Sequence, residues 1–139
     1  MLPGFTPKLY KMKSTEELAS DLFPHGGEMG ERIRSFPWRD SPVGPVEQWP
    51  QSLRTAVALL LECKLPMYLA WGPQFTQFYN DAYRTILGAK HPHALGRSVT
   101  ESWPEMWETI GPMWRDVLEG GSFGFDDFKL TIDRYGYPE

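Results

Sequence analysis

A single cysteine, Cys63, stands in the 139 residues. One thiol can form neither an internal disulfide nor a multi-cysteine metal site, which points to a reducing compartment. Long apolar runs are missing as well. None approaches the roughly 20 residues that a membrane span needs, and Met1-Leu2-Pro3-Gly4 lacks the charged-then-apolar form of a signal peptide. The expectation is a cytoplasmic protein without direct membrane insertion. Positive charge is in short supply: 14 Lys and Arg stand against 18 Asp and Glu, a net charge of −4. Nucleic acid, whose binding proteins usually carry a basic patch, is not an expected partner.

Catalytic motifs are lacking too. There is no Gly-rich phosphate loop, no pair of catalytic carboxylates and no Ser/His/Asp arrangement. A phospho-accepting helix histidine and an ATP-binding domain are also missing, so the chain does not read as an enzyme. His91 and His93 form an H-x-H pair after Lys90, but spacing implies no third metal ligand, and loop histidines are the plainer reading. Cys63 reads as a small buried apolar residue. Asn80 and Asp81 read as capping and turn residues rather than catalytic ones.

What is present is core material: 41% apolar residues, with six Trp and eight Phe. Residues 1–13 look loosely attached. Ser14 with Glu16 and Glu17 marks a helix start, and that helix ends by Pro24. Residues 36–50 hold Pro37, Pro42, Pro45 and Pro50 and read as a rigid, extended linker. Pro50 suits a first helical position, and Leu53, Val57, Leu60 and Leu61 then share one face of a helix that ends near Lys64. Leu59 widens that stripe.

Residues 67–71 and 75–79 read as a buried strand and its hairpin partner around Gly72-Pro73. Asn80 caps a short helix from Asp81 to Leu87, closed by Gly88, and residues 91–100 are irregular. Pro104 opens a long helix with Trp103, Trp107, Ile110, Trp114 and Val117 at spacings of four and three, ended by Gly120-Gly121. Trp107, Ile110 and Trp114 are expected to be buried. A strand follows from Phe123 to Ile132, with a bulge at Asp126-Asp127, then a turn at Asp133-Arg134-Tyr135-Gly136 and the start of a return strand at Tyr137-Pro138-Glu139. The chain stops inside that hairpin, so it reads as part of a larger parent. The fold class expected is α+β: an antiparallel sheet with helices on one face, preceded by an N-terminal helical extension.

Several words along this order resemble the PAS domain of bacterial, hybrid-type sensor histidine kinases. They are Pro66-Met67-Tyr68-Leu69-Ala70-Trp71-Gly72, Phe78-Tyr79-Asn80-Asp81-Ala82-Tyr83, Leu87-Gly88, His91-Pro92, Ala94-Leu95-Gly96-Arg97 and the closing Asp133 to Glu139. Gly44-Pro45-Val46-Glu47-Gln48-Trp49-Pro50 resembles the leader of that subtype, so the likeness covers about residues 36–139. It implies an extension and linker over 1–49 and a sensory domain over 50–139, cut before its final strands. It further implies a dimeric signalling module with its kinase output in a parent chain and an unidentified small-molecule ligand.

The candidate cavity wall is Tyr68, Phe78, Tyr83, Trp107, Trp114 and Phe128. The tryptophans, Trp71 and Trp103 among them, read as core first and cavity wall second. The resemblance disfavours haem, because haem-binding members of that family commonly use a long-helix histidine and residues 104–119 contain no His. It likewise disfavours a covalent flavin, because the flavin-linked light sensors of that superfamily need a cysteine in the helical segment after the second strand and residues 80–119 contain no Cys. Two alternatives stay open: a ligand-free interaction module with a filled core, and a regulatory domain of another output type, such as a cyclic-di-GMP enzyme or a transcription regulator. A homodimer is expected, through Leu59 and its helix or through a sheet edge near 128–132.

Overall fold

The computed structural model describes residues 13–122 and 132–139. Helix α1, Thr15–Leu22, starts where expected: the Ser14 hydroxyl accepts the Glu17 N–H at 3.2 Å. A helix that the sequence reading did not anticipate follows, α2, Gly27–Ser35. Its two glycines and single apolar pair, Met29 and Ile33, give little intrinsic signal. Both of those side chains are fully buried.

The Pro-rich stretch 36–50 is not an extended linker. It folds into two single 3-10 turns, Trp38–Asp40 and Val46–Gln48, and buries Trp38, Val46 and Trp49 in the same core as the helices on either side. Each indole N–H finds a nearby carbonyl, Trp38 Nε1 donating to Ile33 O at 2.7 Å and Trp49 Nε1 to Gly44 O at 2.8 Å. Satisfied indoles can be buried at little polar cost, so the prolines stiffen a packed segment.

Helix α3, Gln51–Glu62, buries Leu53, Val57, Leu60 and Leu61 as their spacing requires, and Pro50 stands just outside it as the cap. Cys63, which closes α3, is half-buried rather than buried.

Strands β1, Tyr68–Trp71, and β2, Thr76–Tyr79, pair antiparallel with Tyr68 opposite Tyr79 and Leu69 opposite Phe78. The strand expected to be buried, β1, is half-buried, whereas all four residues of β2 are buried. The reason is β2's second edge. Gln77 N–H donates to Arg97 O, and Gly96 and Val99 donate to Gln77 O and Phe75 O, so the 94–99 segment covers it. Short helices α4, Arg84–Leu87, and α5, Val99–Ser102, flank that segment.

Helix α6, Pro104–Leu118, opens on Pro104 at its first position. Ile110 is buried as expected, but Trp107 and Trp114 are only half-buried. The Trp114 ring meets Tyr68 and Phe75, and the Trp107 ring meets Phe75. Pro112 lies inside the helix, where it and the carbonyl-bearing Glu108 four residues back are both exposed, so water can serve the freed group.

Register places Tyr68, Ala70, Gln77 and Tyr79 on one sheet face and Leu69, Trp71, Thr76 and Phe78 on the other. Both faces are covered. Phe78 stacks on Trp38 at 4.9 Å, while Tyr68 meets Trp114 at 6.1 Å on the opposite side. Helices on one face only were expected; α6 takes one face and the N-terminal segment takes the other. Ile132 and Glu139 exchange both backbone hydrogen bonds around the expected turn, where Gly136 has φ +92°. The strand expected over 123–132, its bulge and the edge near 128–132 fall, except for Ile132, outside the described residues.

Candidate ligand groove

A groove of about 260 Å³ opens between the sheet and α6, lined by Tyr68, Ala70, Phe75, Trp114, Val117 and Leu118. Alternation along β1 delivers Tyr68 and Ala70 to the same face. Phe75 arrives by a less ordinary route. It closes the β1–β2 turn at φ +50°, in the left-handed region that costs a non-glycine residue about 1–2 kcal/mol. That conformation packs the Phe75 ring against Trp107 at 5.3 Å and Trp114 at 5.6 Å. Strain of this kind persists where surrounding structure fixes it, often at binding sites. From α6, Trp114 forms the wall, and Val117 and Leu118, 45% and 52% exposed, form an open rim.

Of the six residues expected to line a cavity, Tyr68 and Trp114 do so. Tyr83 stands behind Tyr68 at 5.2 Å, and Trp107 stands behind Phe75 and Trp114. Phe78 does not take part, because the pleat turns it into the opposite core. Phe128 lies outside the described residues. The sequence reading missed Ala70, Phe75, Val117 and Leu118. Alternation from Tyr68 and a helical step of three from Trp114 would have found Ala70 and Val117. Nothing local marks Phe75.

Behind the groove, Gln77 is fully buried and fully engaged. Its amide nitrogen faces the carbonyls of Ala94 at 3.1 Å and Arg97 at 3.2 Å, and the Ser102 hydroxyl at 2.8 Å. Carbonyls only accept, so this end must be the NH₂, and the other end is the oxygen. Tyr68 Oη, 2.8 Å from Gln77 Oε1, therefore donates to it. Burial pushes the Tyr68 hydroxyl well above the usual phenol range, with Tyr83 and Tyr79 adding to the shift, so it stays neutral.

A second polar cluster fastens α2 to the sheet. His91 Nε2 lies 2.7 Å from Glu28 Oε2, and Nδ1 lies 2.9 Å from Tyr79 Oη. An ionised carboxylate only accepts, so Nε2 carries a proton toward Glu28, while Nδ1 pairs with the Tyr79 hydroxyl. Arg84 Nη1 also donates to Glu28, at 3.1 Å. The hydrogen bond from His91, helped by the Arg84 charge against some desolvation, holds the Glu28 carboxyl below the usual range. Burial raises the Tyr79 hydroxyl. With its ring fully buried, Tyr79 cannot reach a substrate, so the cluster is a fastening. His93, the other half of the H-x-H pair, is exposed. Among the described residues, no three His, Cys, Asp or Glu side chains gather as a metal ion would need, and no helix is long and apolar enough to cross a membrane.

Comparison with family models, with curated proteins and with solved structures finds no match.

Proposed function

We propose that this chain is a PAS-type sensory module of a two-component signalling protein, non-catalytic itself, that binds a small molecule between its sheet and long helix. The groove under α6 carries this reading. A scaffold with a filled core has no need of a concave aromatic face there, whereas ligand sites are concave, mostly apolar and few. The order of elements supports it: a helix, a hairpin, short helices, then a long helix across the hairpin. Signalling would follow if an occupied groove shifts α6 relative to β1 and biases an output element in a parent chain between two states.

Native mass spectrometry of the freshly purified protein tests the binding role. A co-purified mass, released on denaturation and absent from Ala70→Trp, is the expected result. A bare chain that also shows no NMR response at Trp114 to a panel of small apolar molecules would sink it.

One observation favours a second reading, an interaction module that dimerises. Leu59 is 62% exposed on α3 and Leu65 is 72% exposed just beyond it. Leu59 borders a surface cleft of about 390 Å³ shared with Leu22 and Ala58. Apolar surface grouped in this way, exposed Leu59 beside the half-buried Leu22 and Ala58, marks a contact surface. The two readings are compatible, since a sensor can relay its signal across a dimer.

A further inference from the structure

We infer that the groove selects a neutral molecule of one or two fused aromatic rings with a single hydrogen-bond donor, and that it discriminates against carboxylates and phosphates. The ligand class rests on the sensory reading above and specifies what that site takes.

Size comes first. An apolar cavity of about 150 Å³ is enough to hold benzene. A groove of about 260 Å³ therefore has room for a bicyclic ring. Shape agrees. The Trp114 ring makes angles of 51° with Tyr68 and 60° with Phe75, at centroid distances of 6.1 and 5.6 Å. Three tilted rings with Ala70 as the floor leave space for a flat guest that meets faces and edges, the geometry aromatic pairs favour.

Charge comes second. None of the six lining residues is ionisable near neutral pH. Arg115 sits over the Trp107 ring at 5.2 Å and is not in the lining. Among the described residues, an anion entering the groove would lose water without gaining a cation, and only the Trp114 indole N–H stands in the lining as a side-chain donor.

The third constraint is the direction of one proton. Two lining side chains carry a polar group, Trp114, which only donates, and Tyr68, whose O–H is committed to Gln77, itself oriented by the carbonyls of Ala94 and Arg97. Tyr68 can therefore only accept from a ligand. A guest N–H or O–H matches it, while a guest carbonyl or carboxylate meets a second acceptor.

The test uses the whole chain, isotope-labelled, with the Trp114 indole N–H and the Val117 and Leu118 methyls followed by NMR. Four probes are titrated: indole, N-methylindole, naphthalene and indole-3-carboxylate. Indole should give saturable shifts at these groups. N-methylindole and naphthalene, lacking the donor, should bind about fivefold more weakly, as one neutral hydrogen bond implies. Indole-3-carboxylate should be weaker than indole by about tenfold or more. In Tyr68→Phe the difference between indole and naphthalene should shrink, a comparison made within one variant. If the carboxylate binds as tightly as indole, or N-methylindole matches it, the ligand class is overturned while the groove remains a binding site. If none of the four moves these signals, both the ligand class and the sensory reading fall.

Discussion

Asp81 caps a helix that begins more than fifty residues before it: its Oδ1 accepts the backbone N–H of Met29 at 2.8 Å, and its Oδ2 that of Glu28 at 3.2 Å. Helix α2 has no capping side chain of its own, because Gly26 holds the cap position. Its first turn would otherwise leave N–H groups without partners. The neighbouring Gly27, at φ +62°, leaves room for the carboxylate, which a Cβ there would strike.

Asp81→Ala should therefore cost about 1 kcal/mol, the usual worth of an N-terminal cap. Urea unfolding measures it. Amide exchange should quicken in Glu28 and Met29 while α6 is unaffected. A variant as stable as the parent, with unchanged exchange in α2, would remove the long-range cap from the account.

Asn80 should be less replaceable. Its Nδ2 faces the carbonyls of Leu60, Cys63 and Leu65 at 3.1, 3.2 and 2.8 Å, and its Oδ1 accepts from Met67 and Tyr83. With 2% of its surface exposed, water cannot take its place. Asn80→Ala should cost about 3 kcal/mol, since several buried backbone groups lose their partner at once. A loss under about 1 kcal/mol in denaturant titration would mean that those carbonyls find other donors.

Stability should fall on the acid side, partly through Glu28. Its folded-state pKa is depressed, mainly by the His91 hydrogen bond and also by the Arg84 charge. A depressed carboxyl pKa stabilises above the unfolded value, and that contribution disappears as pH falls through the folded one. The window lies below the ordinary value of 4.5. Glu28→Gln should be less stable than the parent at neutral pH, and the gap should narrow as pH drops below that value. A gap constant from pH 7 to pH 3.5 would show that Glu28 contributes no proton linkage.

Leu59→Glu distinguishes the routes to self-association. Light scattering of the parent at micromolar concentration should give twice the monomer mass if α3 carries a contact, and the variant should be monomeric. Because Leu59 is exposed, the substitution should change unfolding free energy by no more than about 0.5 kcal/mol. A dimer that survives it uses another surface.

The elements visible in sequence were those with strong local signals. The spacing of Leu53, Val57, Leu60 and Leu61 located α3, Gly72-Pro73 located the hairpin, and Pro104 located the start of α6, because period and turn chemistry act over a few residues. Helix α2 was hidden since its cap is supplied by Asp81, far along the chain. The Pro-rich stretch looked like a linker because proline reports backbone stiffness and says nothing about where Trp38 and Trp49 are buried.

Apolar periodicities, turn positions, the local cap at Ser14 and the aromatic stock from which a groove can be built are all legible along the chain. Those follow from covalent geometry and from neighbours within a turn or two. Which aromatics meet depends on long-range packing. Strand parity turned Phe78 away and brought Ala70 in, a left-handed residue at the hairpin turn delivered Phe75, and packing left Trp107 and Trp114 half-buried rather than covered. Tertiary structure also fixed which way the Tyr68 proton points, through carbonyls at Ala94 and Arg97. A side chain's face and a hydroxyl's direction depend on partners distant in sequence, and local propensity carries no record of them.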